Sequence, residues 1–135
     1  MNKQPEDFYE PIGQALADTV GKPFIAAWIR VEIRDSTSAV SVFYRASDGE
    51  YYYADRSEEL DEFIYRHWEM AADQGENWDE MTFRLESSGE FHVGFEYDIP
   101  MEMFLDEEKR DEWLQKNLGE VKVNYPPGVD RHNSP

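Results

Sequence analysis

The sequence predicts an α+β domain of two layers, an antiparallel sheet of about five strands with helices packed on one face, in the order α-β-β-β-α-β-β-α. Three observations carry that prediction. From Trp78 to Asp98 two alternating runs, Met81, Phe83, Leu85 and then Phe91, Val93, Phe95, Tyr97, flank Ser87-Ser88-Gly89, the pattern of two antiparallel strands and a tight turn with one buried face. Leu60, Phe63, Ile64, His67, Trp68 and Ala71 recur at helical spacing behind an acidic first turn. Each strand has one strongly apolar side, so helices need cover only one face of the sheet.

In chain order, Met1 to Asp7 reads as a polar, loose terminus. Phe8, Ile12, Ala15, Leu16, Thr19 and Val20 fall on one helical face, with Pro11 in a first turn and Gly21 placed to stop the helix. After Pro23, Ile25, Ala27, Ile29, Val31 and Ile33 alternate with Phe24, Trp28, Arg30, Glu32 and Arg34, a long strand with one apolar and one mixed face. A polar turn at Asp35 to Ser38 leads to a second strand, with Val40, Val42 and Tyr44 on one side and Ser41, Phe43 and Arg45 on the other. Ser47-Asp48-Gly49-Glu50 is a hairpin turn into a short third strand at Tyr51 to Tyr53. Ser57 caps the second helix, whose Glu58, Glu59, Asp61 and Glu62 sit where the helix dipole favours negative charge, and Gly75 ends it. The hairpin follows, then a loop from Asp98 to Leu105. Asp106 caps a third helix with Trp113, Leu114, Asn117 and Leu118 on one face, ended by Gly119. Residues 1–119 therefore read as one domain and 120–135 as a polar tail, with a short extended piece at Val121 to Tyr125. The sheet face away from the helices is expected to be open, carrying Trp28, Phe43, Arg45, Arg84, Glu86, His92 and Glu96.

At 135 residues and 40% hydrophobic content the chain suits a single core. With no cysteine, thiolate metal sites and disulfides are excluded; with no apolar run near 18 residues and no N-terminal signal-like segment, a cytoplasmic, soluble protein is expected. Thirteen Lys and Arg against thirty Asp and Glu leave a net charge of −17, which repels nucleic acid and anionic membrane and attracts a basic partner. The acids cluster: ten lie between Asp55 and Glu80 against Arg56 and Arg66, and eight between Glu96 and Glu112 against Lys109 and Arg110.

Candidate partner-contacting residues are the acids Glu58, Glu59, Asp61 and Glu62, the second set Asp106, Glu107, Glu108, Asp111 and Glu112, the hairpin acids Glu86 and Glu96, and the outward-facing aromatics Trp28 and Phe43. The first two sets also read as solvated, dipole-stabilising helix starts, and the aromatics also read as covered by the third helix or the tail. No catalytic motif, cofactor site or metal site is expected. Glu86 and Glu96 across the hairpin could form an acid and base pair, but thirty acids make close pairs a matter of chance. His67, His92 and His132 lack metal-ligand spacing, and Ser87 and Ser88 have no nearby His.

The run W-x-x-M-T-F-x-L-E-S-S-G-x-F-x-V-x-F-x-Y-D at Trp78 to Asp98, the acidic stretch after it, Arg110, Trp113 and Asn117-Leu118-Gly119 together resemble the YezG-like immunity proteins, or antitoxins, over about Phe8 to Gly119. Leu114 to Gly119 departs from the Lys-Tyr-Leu-Gly type of ending usual there. The resemblance implies a non-enzymatic protein that binds a cognate secreted polymorphic toxin domain, often of the LXG type and often a nuclease, and blocks it. The charge agrees, since a nuclease needs a basic groove that an acidic protein can occupy. An acidic adaptor or nucleic-acid mimic for another basic protein has the same charge pattern, and a small carboxylate-dependent enzyme is the third reading.

Overall fold

The computed structural model describes residues 4–34 and 37–126. Residues 1–3 of the stretch expected to be a loose terminus, Asp35 and Ser36 of the expected polar turn, and 127–135 of the expected tail, His132 included, lie outside the described residues, while Pro5 to Asp7 of that terminus are ordered into a turn. A 3-10 turn, Pro5–Phe8, leads into α1, Tyr9–Val20. Gly21 closes that helix at φ 70°, donating its N–H to the Ala17 carbonyl, a left-handed cap that suits glycine. The strands β1 (Phe24–Arg34), β2 (Thr37–Ala46) and β3 (Tyr51–Ala54) follow, then α2 (Glu58–Asp73), β4 (Trp78–Glu86), β5 (Phe91–Tyr97), α3 (Glu107–Asn117) and β6 (Val123–Asn124).

The six strands form one open sheet in the order β5-β4-β1-β2-β3-β6, antiparallel except where β6 runs parallel to β3. The fold class is the expected α+β, with β6 as the added strand inside the stretch read as a tail. β1 lies at the centre because its alternation pairs on both sides: Ile29 faces Val42 on β2 and Phe83 on β4, and Val31 faces Val40 and Met81. These side chains share one face with Ile12 and Leu16 of α1 and Leu60 and Ile64 of α2, all buried in the main core. Each fully buried aliphatic or aromatic side chain there contributes about 1.5–3 kcal/mol relative to exposure.

Three expectations are corrected. Ile25 is exposed and Phe24 packs on the main core, because the β1–β2 register shifts between Phe24 and Ala26; the bulge reverses the alternation at the strand's start. Phe91 and Tyr97 are exposed and Val93 and Phe95 only half-buried, because β5 is the sheet's edge and the helices centre on β1, β2 and β4. The second sheet face is open only along the β4–β5 hairpin, where Arg84, His92 and Glu96 are exposed as expected, and is covered over β1 and β2. There α3 lays Trp113, Leu114 and Leu118 over Ala26, Trp28 and Phe43, forming a second, smaller core with Tyr51 and Tyr53 against it. Trp28 and Phe43 are consequently 4% and 2% exposed. The sheet thus has α1 and α2 on one side and α3 on the other.

Candidate functional site

Both acidic helix starts lie at the same end of the sheet, one on each face. Ser57 accepts from the Leu60 N–H at 3.2 Å and starts α2 where Glu58, Asp61 and Glu62 border a shallow groove with Ile33, Ser38 and Val40, the residues flanking the β1–β2 turn. Asp106 accepts from the Lys109 N–H at 2.9 Å and starts α3 where Lys109 reaches Glu80, which stands opposite Glu32 near the end of β1. Glu58, Glu59, Glu62, Glu107 and Glu108 are exposed at these starts, and Asp111 and Glu112 are exposed further along α3, bordering grooves on either side of it. Acids at helix starts are favoured by the dipole, by about 0.3–1 kcal/mol each. Asp61 is half-buried and pairs with Arg56 at 3.1 Å. Burial raises its pKa, Glu58 adds to that rise, and Arg56 opposes it. Glu62 pairs with Arg66 one turn on.

Between the two acidic starts, on the α3 side, lies a buried network of charges. Arg30 bonds Glu32 at 3.1 Å and Glu80 at 3.5 Å, and Lys109 bonds Glu80 at 3.0 Å and the more exposed Glu96 at 3.5 Å. Burial works against the Lys109 ammonium, but its hydrogen bond to Glu80 and the charges of Glu80 and Glu96 outweigh that, with Arg30 opposing, so its pKa is raised. Glu80, only 2% exposed, lies between Glu32 and Glu96 on the neighbouring strands and is held there by Arg30 and Lys109. A groove of about 570 Å³ runs alongside, between α3 and the outer face of the β4–β5 hairpin, bounded by Thr82, Glu96, Lys109, Glu112, Trp113 and Lys116. Trp113 closes its floor by donating its indole N–H to the Thr82 hydroxyl at 2.7 Å.

The loop from Asp98 to Asp106 crosses this same end and is pinned from beneath. Asp79 accepts the Ile99 N–H at 2.9 Å and pairs with Arg34 at 2.8 Å, Arg34 also donates to the Ile99 carbonyl, and its guanidinium lies 5.0 Å from the Phe104 ring. Buried Glu32 accepts the Leu105 N–H at 3.0 Å. Asp98 and Leu105 both take left-handed backbone conformations, φ 55° and 62°, the only non-glycine residues to do so among those described. Aspartate tolerates this, but for a leucine it costs about 1–3 kcal/mol, which the Glu32 bond helps to hold in place.

The sequence-predicted residues therefore divide. The two helix starts lie at the same end of the sheet, on opposite faces. Trp28 and Phe43, expected to face outward, are instead buried beneath α3, where Phe43 packs 5.7 Å from Trp113, so neither offers a contact surface. Glu86 and Glu96 do not face one another: Glu96 pairs in register with Glu80, while Glu86 lies at the turn end of the hairpin and bonds Arg84 at 2.6 Å. No acid and base pair is formed by them. Reading the sequence missed Arg30, Glu32, Glu80 and Lys109 as a unit and the exposed side chains of the Asp98–Asp106 loop. The available signal was Trp28, Arg30 and Glu32 on one face of a strand long enough to lie mid-sheet, which marks that face as covered. Among the described residues no group of His, Asp and Glu is arranged to hold a metal ion, and no helix is long and apolar enough to cross a membrane.

A family model described as Immunity protein YezG-like matches residues 48–125, more than half of the chain. The chain belongs to the YezG-like immunity protein family. The match runs from the β2–β3 turn through β6, so the YezG-like portion contains both acidic helix starts, the hairpin, the Asp98–Asp106 loop and the closing strand. No curated protein matches the chain.

Proposed function

We propose that this YezG-like protein binds and neutralises a cognate secreted polymorphic toxin, of the LXG type with a C-terminal nuclease domain, inside the cell that makes the toxin. Beside family membership, the observation that supports the reading is that the exposed acids Glu58, Glu59 and Glu62 on one face and Glu107 and Glu108 on the other lie at the same end of the sheet, in a chain of net charge −17. A nuclease holds its substrate's phosphates in a basic groove, and an acidic surface is steered to that groove over roughly a Debye length, about 8 Å in physiological salt. Inhibition is then occupation or capping of the groove, and this chain performs no chemistry. An acidic adaptor shares the charge and differs in its partner.

The test is expression of the toxin gene beside this one, alone and together with this chain, followed by association kinetics on the purified pair. Growth arrest relieved by the chain is expected, with an on-rate falling about tenfold or more as salt rises from low to several hundred millimolar. Arrest that persists defeats the immunity reading; relief with a salt-independent on-rate defeats electrostatic steering.

A further inference from the structure

The Asp98–Asp106 loop combines features that its role as a connection does not require. Met101 is 67% exposed, Leu105 46% and Met103 40%, an apolar cluster within five residues. Asp98, Glu102, Asp106 and Glu107 frame it along the chain. Beneath it, Asp79, Arg34 and Glu32 fix three backbone groups of the loop, and Leu105 is kept in a left-handed conformation that would relax if the loop were free to choose. The apolar side chains thus lie at the surface above a pinned backbone, with the Met101 sulfur accepting a hydrogen bond from Arg34 at 3.7 Å and Met103 at the border of the α3 groove. Methionine is suited to this, since its unbranched, polarisable side chain adapts to an irregular pocket. Apolar groups inside a charged ring are also the arrangement in which a few residues dominate binding while the rim excludes water.

We propose that Met101, Met103 and Leu105 form the anchor by which this protein grips its partner, and that the partner offers an apolar pocket rimmed by lysine and arginine. The charge around the cluster selects that partner. A second copy of this chain would bring acidic rim against acidic rim at net −17 each, whereas a basic protein meets complementary charge. The inference rests on the immunity reading and adds to it a division of labour: the helix-start acids govern encounter, and the loop governs how long the complex lasts.

The experiment measures binding kinetics of the toxin domain encoded beside this gene, in a catalytically inactive form, against the wild-type chain, Met101→Ser with Met103→Ser, and Met101→Leu with Met103→Leu. Because both side chains are exposed, the serine variant should keep the wild-type unfolding midpoint. It should dissociate roughly 30-fold faster or more, with on-rate and salt dependence unchanged, and the leucine variant should restore slow dissociation. A serine variant that binds within about twofold of wild type, or one that loses on-rate instead, overturns the anchor and leaves the immunity reading standing. A wild-type chain that does not bind the toxin overturns both.

Discussion

His67 makes the fold's stability depend on pH in a window that can be worked out beforehand. Its ring is 1% exposed, stacked 5.4 Å from Phe95 and set 5.3 Å from Tyr9 and 5.9 Å from Trp78, and neither ring nitrogen has a hydrogen-bond partner among the described residues. Burial among these rings lowers its pKa to about 4, with Glu6 opposing. In the unfolded chain the imidazole takes its proton near its ordinary value of about 6.5. Between those two values the unfolded state holds a proton that the folded state refuses, so stability is complete above the upper value and drains away as pH falls through the lower one. The interval of roughly 2.5 pH units, at about 1.4 kcal/mol each, caps the loss near 3 kcal/mol, of which about 2 kcal/mol falls between about pH 7 and pH 4.5. Carboxylates titrate over part of the same range, so the comparison that isolates His67 is with His67→Phe, which keeps a ring and removes the proton site. Urea unfolding followed by tryptophan fluorescence should show the variant gaining about 2 kcal/mol on wild type across that pH drop. Parallel pH profiles would refute the assignment of a buried, neutral imidazole.

Three further predictions concern packing, charge and encounter. Glu80→Ala leaves Arg30 and Lys109 buried together without their shared counter-ion and should cost about 3–5 kcal/mol in chemical unfolding, with Glu80→Gln costing less because it keeps a hydrogen-bond acceptor. Phe83→Ala, at a fully buried site, should cost about 3–5 kcal/mol, while Phe95→Ala, half-buried at the sheet's edge, should cost about 2 kcal/mol; equal costs would mean that β5 is covered as thoroughly as β4. Replacing Glu58, Glu59 and Glu62 by Gln and Asp61 by Asn together should slow toxin association severalfold at low salt, with little change in dissociation or in the unfolding midpoint; unchanged association kinetics would remove α2 from the encounter surface.

How far the fold could be read depended on how local its causes are. The β4–β5 hairpin was legible because Met81, Phe83 and Leu85 alternate without interruption and Gly89, at φ 95°, suits the turn. The bulge at Ile25 was not, because one inserted residue reverses the facing of its neighbours and only pairing with β2 reveals it. α3 was legible as a helix from Asp106 and Gly119, yet its few apolar residues do not say which side of the sheet they meet. That single ambiguity turned Trp28 and Phe43 from exposed candidates into core. The network around Glu80 was hidden for a related reason: an isolated charge on a strand reads as solvent-facing until Lys109, 29 residues away in sequence, is brought over it. The acidic helix starts could be named individually, and their placement at one end, on opposite faces, follows only from where β1 ends.

β6 is two residues long, yet it decides what the sheet presents at its far border. Val123 and Asn124 pair with Tyr51 and Tyr52, the Asn124 amide donates to the Tyr51 carbonyl at 2.9 Å, and Tyr125 stacks 5.3 Å from Tyr53. A chain cut back to Gly119 would keep every helix and lose that selvedge, baring β3 to any passing extended peptide. The molecule would then fray toward aggregates from both margins, since β5 already ends the sheet on the other side. Expression boundaries belong beyond Tyr125.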